Sequence, residues 1–288
     1  MKKKSNFLLI LLVLLVISII GAWTIYNVYY APNARISATY MEVYQELDPN
    51  EISVFSFESV NHKLVLKTTD EDKIKITYFQ KENNNNSYVI TNRGVTLKLI
   101  ERVEDLNNTF YQSKRSIDTI TVLLPKGYEF SLTNKTTSGT LMAEEVQLNS
   151  LVTVSVSGGI TLSKCDIKAV NLNTNYGPVG ISESEIGRLI VSDVSGDVRI
   201  RINDSINDYG LNLKTSFGTL LINGHKPVIV EEEVEKEVNE MQVDKTDGKY
   251  MEVIATRSYI VIDTNEPAEP APTEQTQEPT EEKEEKPA

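Results

Sequence analysis

The chain has 288 residues and a formal net charge of −12, with 40% hydrophobic residues, enough to bury a substantial core. The acids are concentrated: residues 231–247 and 264–288 each supply −6, Lys2 to Lys4 supply +3, and the rest carries −3. An acidic chain without a basic stripe is repelled by nucleic-acid backbones, the single Cys165 excludes an intramolecular disulfide, and the separated His62 and His225 form no zinc set.

In chain order, three lysines open the sequence and residues 1–6 read as a cytoplasmic stub. An apolar run from Phe7 to Ala22 follows, then Trp23, Tyr26, Tyr29 and Tyr30. Lysines before an apolar run and an aromatic belt after it predict a single transmembrane helix over 7–30, starting in the cytoplasm. A cleaved signal peptide is the rival reading, opposed by Ile20, which is not small, three residues before a cut after Ala22. Either way, the β domain is expected outside the cell membrane, with the lipid bilayer as the first partner.

Residues 31–44 read as a linker and 45–263 as the β domain. The segments "ISVFSFESVNHKLVLKTT", "DKIKITYFQ", "SYVITNRGVTLKLIE" and "IDTITVLLPKGYEFSLT" alternate apolar and polar residues without a strict period. They predict wider rungs or a β cap, with Asn83 to Asn86 as a hairpin tip.

From residue 130 to 226 a repeat takes over. Gly139, Gly158, Gly177 and Gly196 recur every 19 residues, and Gly218 follows after 22. Seven residues before each glycine stand Leu132, Leu151, Val170, Leu189 and Leu211. Two after stand Leu141, Ile160, Val179, Val198 and Leu220, and four after stand Ala143, Leu162, Ile181, Ile200 and Ile222. Spacing of two within each repeat means strands, and identical columns in successive repeats mean that each rung lies on the one before. The fold class is therefore all-β: a single-stranded parallel β-helix, or solenoid, with 19-residue rungs and glycines at a bend where the chain changes direction.

An acidic insertion at 227–247 is expected to be partly helical or disordered. A last rung at 248–263 carries Met251, Val253, Ile260 and Ile262 around Ser258, which replaces the glycine. Residues 264–288, rich in proline and glutamate, read as a disordered acidic tail.

The features "ITVLLPKGYEFSL" and the glycine-marked S-G-x-aliphatic-x-aliphatic rungs, behind an apolar N-terminal helix, resemble a bacterial adhesin-like domain of unknown function. That family includes the accessory membrane protein of an operon responding to antibiotics that act on lipid II. The resemblance covers about residues 45–263 and implies a membrane-anchored β-solenoid of adhesin type.

Two columns could carry chemistry. Asp166, Glu185 and Asp204, preceded by Gln147, stand eight residues after the glycines and could form a calcium ladder or an acid and base pair. Thr136, Ser155, Thr174 and Thr215, with Asp193 among them, stand three before. They read as a structural hydroxyl ladder, or as a polar face that docks glycan or protein. Glu145, Lys164 and Glu183 alternate in sign as an ordinary surface ladder. Cys165 reads as a small buried hydrophobe, and the histidines as surface or satisfied core residues. In "NTNYGPVGIS", Pro178 and Gly180 belong to this rung alone.

The expected function is a non-catalytic binding or scaffolding module at the cell envelope, with no cofactor. Its partners would be a cell-surface glycan or an envelope protein. The alternatives are a regulatory accessory of envelope-stress signalling acting through its anchor, and a glycan-active β-helix enzyme.

Overall fold

A computed structural model describes residues 2–27, 40–81, 87–91, 94–99, 117–231, 234–245 and 248–264. A helix, α1 (Lys2–Ile25), opens the chain. Among the described residues no helix is long and apolar enough to cross a membrane. The expected span over 7–30 runs onto residues outside the described set, as do the expected hairpin tip at 83–86 and most of the acidic tail.

The rest is strand. The irregular first half comprises β1 (Tyr40–Leu47), β2 (Val54–Ser59), β3 (Lys63–Thr69), β4 (Ile74–Lys81), β5 (Ser87–Thr91), β6 (Gly94–Leu99) and β7 (Thr119–Pro125). The repeat comprises β8 (Glu129–Thr136), β9 (Leu141–Glu144), β10 (Gln147–Ser155), β11 (Ile160–Ser163), β12 (Asp166–Thr174), β13 (Val179–Asp193), β14 (Val198–Ile202), β15 (Tyr209–Thr215) and β16 (Thr219–Ile222). Then come β17 (Val228–Glu231), β18 (Val234–Glu237), β19 (Glu240–Val243), β20 (Lys249–Ala255) and β21 (Tyr259–Thr264). Two expectations are corrected here. β1 begins inside the expected linker, and the acidic insertion forms strands β17 to β19, with β17 and β18 paired antiparallel.

Each regular rung has two strands. One lies in sheet I, the chain bends at the glycine, and the other lies in sheet II; β13 is long enough to serve sheet II with its first half and sheet I with its second. The return bend passes through Glu145, Lys164 or Glu183, each in the left-handed region with φ of 57°, 53° and 50°. The apolar columns identified above point between the sheets into one continuous core. In the wider first rungs Phe55 meets Phe130 edge-on, with ring centroids 5.2 Å apart, where later rungs use aliphatics.

The bend glycines are required for a reason other than the one their position suggests. None of the five adopts positive φ. Instead the backbones nearly touch: a Cβ on Gly158 would lie 1.7 Å from the carbonyl oxygen of Gly139, and one on Gly177 would lie 2.1 Å from that of Gly158. At these glycines only hydrogen fits between one bend and the next.

The stacking order departs from the chain order at both ends. Over β8 to β14 the 19-residue register holds, with Leu151 on Leu132, Val170 on Leu151 and Leu189 on Val170. The next rung in space, however, is β20 with β21, which pairs with β13 and β14 on one side and with β15 and β16 on the other. The last rung of the chain is thus inserted before the fifth, correcting the expectation that each repeat lies on its predecessor. The first half repeats the device, with β2 and β3 lying between β6 and β7 on one side and β8 and β9 on the other. The longer step from Gly196 to Gly218 accommodates the skip. A 3₁₀ turn at Ile206–Asp208, capped by Ser205, carries the chain past a slot about two strand spacings, or ~10 Å, wide.

Antiparallel strands close most of the open edges. β4 and then β1 cover sheet II at the first end, β5 covers sheet I there, and β19 covers β15 at the other end. Such capping blunts the row of unpaired backbone groups that a solenoid end exposes.

Candidate binding faces

The column three before the glycine is structural, as its hydroxyls suggested. The backbone N–H groups of Gly139, Gly158 and Gly177 donate to Thr136 Oγ1, Ser155 Oγ and Thr174 Oγ1 at 2.8, 2.8 and 3.1 Å. In the next rung Asp193 takes this role, its Oδ2 accepting from Gly196 N at 2.6 Å and from the Ser258 hydroxyl. Burial pushes the Asp193 carboxyl up, against the Ser258 bond that pulls it down. These residues hold the bend and are buried, so they offer nothing to a ligand.

The acidic column is brought only partly together. Gln147, Asp166 and Glu185 are in register on adjacent strands. Asp204 is separated from them by the inserted rung, which places Lys249 Nζ 3.2 Å from Glu185 Oε1 and 2.7 Å from Asp204 Oδ2. The Lys249 bond holds the Asp204 carboxyl below its usual range, and Tyr209 donates to the same oxygen at 3.1 Å. An ammonium thus stands where the calcium ladder required a cation, and among the described residues no cluster of three His, Cys, Asp or Glu side chains could hold a metal. The sequence pattern missed Lys249 because it lies 45 residues from Asp204 in the chain.

Cys165 is buried, and burial pushes its thiol up. His62 is buried too, which lowers its imidazole to about 4 against the opposing charge of Asp118, whereas His225 is exposed. Lys164 and Glu145 are 3.9 Å apart and about half exposed, a surface pair of little energetic consequence.

What the outside presents is a flat, uncharged area on sheet I. Val152, Asn171 and Ile190 form one outward ladder, and Val154, Asn173 and Ser192 the next. Charge returns at Lys135 on β8 and Glu252 on β20, and at the exposed Lys168 and Arg188 further along β12 and β13. Asn171, Asn173 and Asn175 form an outward row along one rung, and among the described residues their amides make no side-chain hydrogen bond. The row ends at Tyr176, 62% exposed, and Phe217 stands out further along the same bend at 79% exposed.

The family model described as Toastrack DUF4097 matches residues 52–248, ending one residue before β20. No curated protein matches the sequence. Among solved structures, a candidate cell adhesion protein from Clostridium sporogenes is 15% identical, with 78% of this chain and 99% of that chain covered and a TM-score of 0.42. A candidate adhesin from Bacteroides fragilis is 11% identical, covering 78% and 97%, with a TM-score of 0.37. A further one from Parabacteroides merdae is 9% identical, covering 77% and 95%, with a TM-score of 0.28.

Proposed function

The chain belongs to the Toastrack DUF4097 family, and we propose that it acts as a non-catalytic, membrane-anchored module that binds neutral glycan at the outer side of the cell membrane. The observation that supports this reading is the amide row of Asn171, Asn173 and Asn175 ending at Tyr176, without side-chain hydrogen bonds among the described residues. Each amide offers two donors and an acceptor, which suits sugar hydroxyls. The ring adds an apolar platform for a sugar face. The uncharged ladders on which the row lies suit a neutral polymer.

The anchor in this reading is the segment 7–30, held by Lys2 to Lys4 on the cytoplasmic side and by Trp23 and Tyr26 beyond the apolar run. Carbonate extraction of membranes from expressing cells tests it: the chain stays in the pellet, and its release to the supernatant rejects the anchor.

Sedimentation of the full chain in detergent with insoluble, uncharged cell-wall polysaccharide tests the binding. Native protein co-sediments, and a variant with Asn171, Asn173 and Asn175 all changed to Ala does not. Equal sedimentation of the two rejects the amide row as the contact.

A further inference from the structure

Gly180 has no structural reason to be glycine. It lies in the middle of the first half of β13, without positive φ, and an added Cβ would meet nothing nearer than the Ile160 carbonyl oxygen at 3.9 Å. The bend glycines are forced by contacts of about 2 Å. Gly180 could carry any strand former, and glycine at such a site weakens the strand relative to alanine. On the outside of sheet II it lies on the floor of a cleft of about 430 Å³, which its missing side chain keeps open.

The register defines the walls. Thr161, Gly180, Arg199 and Val261 form one outward ladder, and Ser163, Ser182, Arg201 and Asp263 the ladder beside it. The backbone of β13 and β14 is the floor, hydroxyls of Thr161 and Ser182 line one side, and two guanidiniums line the other. Arg199 and Arg201 are two residues apart on one strand, so their stems stand about 7 Å apart on the same face. Arg199 reaches Asp197 through one nitrogen at 3.5 Å, a long contact on a side chain that is 73% exposed. Arg201 makes no hydrogen bond or ion pair among the described residues, although Asp263 is its direct ladder partner.

We infer that this cleft is a binding site for a phosphoester group. Two guanidiniums and two hydroxyls supply more donors than a carboxylate can accept, and they match the oxygens of a tetrahedral phosphate. The volume admits the phosphate with a glycerol or sugar unit attached. The net charge of −12 does not forbid it, because residues 231–247 and 264–288 carry −6 each and the remainder is near neutral. Asp263 at the rim opposes the anion and Asp197 competes for Arg199, so affinity is modest. The source is either a soluble or polymer-borne phosphoester or the headgroup of an anionic lipid. The site lies on the sheet opposite the amide row and takes the opposite ligand chemistry.

The test uses the full chain in phosphatidylcholine nanodiscs, with and without phosphatidylglycerol, titrated with glycerol phosphate by calorimetry at low salt. Glycerol phosphate binds the protein in discs lacking phosphatidylglycerol, and phosphatidylglycerol in the disc competes with it if the lipid headgroup is the source. Without competition the source is soluble or polymeric. Arg201→Gln weakens binding about tenfold or more, the loss of one charge-assisted contact. Gly180→Leu abolishes binding by obstructing the floor of the cleft beside Arg199, while leaving the melting temperature within a few degrees of native. Asp263→Asn tightens binding several-fold. No heat with glycerol phosphate at 10 mM in discs lacking phosphatidylglycerol overturns the inference. Native affinity in Gly180→Leu overturns it as well. The polysaccharide sedimentation reads the other sheet, so either result stands without the other.

Discussion

The hydroxyl of Ser258 donates to the carboxylate of Asp193, 65 residues earlier, and fastens the last rung of the chain onto the fourth glycine-marked rung. Around this contact the bend backbones continue in register, with Thr256 N donating to Asp193 O and Arg257 N to Val194 O. Asp193 thus serves both its own glycine and the inserted rung, while its Oδ1 is buried without a hydrogen-bond partner.

The pH dependence of stability follows from that carboxylate. Burial raises its folded pKa above the unfolded value near 3.8, so between the two values the folded state binds more protons than the unfolded. Its contribution is therefore most favourable below the unfolded pKa and is lost as pH rises through the folded pKa. Asp193→Asn, neutral at every pH, removes this loss. The urea midpoint of the variant is expected to rise at pH 7 and to change less at pH 4, so that the difference between the two moves toward higher stability at pH 7. An unchanged pH slope would show that Asp193 is not the group responsible.

The inserted rung makes a prediction about truncation. β20 and β21 are the parallel neighbours of β15 and β16, which otherwise keep only β19 on one sheet. A chain ending at residue 248 is expected to lose hydrogen-exchange protection over 209–222 while retaining it over 129–174. Had the rungs stacked in chain order, 209–222 would stay protected, so protection there counts against the inserted arrangement.

The two bends respond oppositely to glycine. Lys164 and Glu183 are held at φ of 53° and 50°, a left-handed conformation that costs an ordinary residue about 1 kcal/mol. Glu183→Gly is expected to raise stability by up to about 1 kcal/mol in urea denaturation. Gly158→Ala drives a Cβ to 1.7 Å from the Gly139 carbonyl oxygen and is expected to lower stability by about 3 kcal/mol or more. A tolerated alanine there would mean that the rungs separate easily.

Lys249 occupies the place a cation would take between Glu185 and Asp204. Lys249→Ala leaves the two carboxylates facing each other, at a cost of about 1 kcal/mol for a partly exposed network. Millimolar calcium is then expected to raise the melting temperature of the variant and leave the native protein unchanged. A calcium shift in the native protein would restore the metal reading of that column.

Much of this architecture is legible in the sequence. Leu151, Val170 and Leu189 stack as their spacing predicts, because a column repeated every 19 residues can be buried only if like lies on like. Cys165 as core and Thr136, Ser155 and Thr174 as bend supports follow from the same pattern. The phosphoester cleft was half visible: Gly180 broke its column, but Arg199 and Arg201 acquire meaning only once β14 is set against β13.

By itself the sequence determined the shape of a rung, since inward and outward positions are decided by local alternation and by where the chain can bend. The order in which rungs stack was decided only in the tertiary structure. A parallel edge offers the same backbone hydrogen bonds and the same aliphatic columns to any rung, so the period is silent on which rung takes it. What selects Ser258 over Gly218 as the neighbour of Gly196 is the slot left by the longer connection through Ile206–Asp208 and the pairing of Ser258 with Asp193 and of Lys249 with Asp204, contacts between residues far apart in the chain.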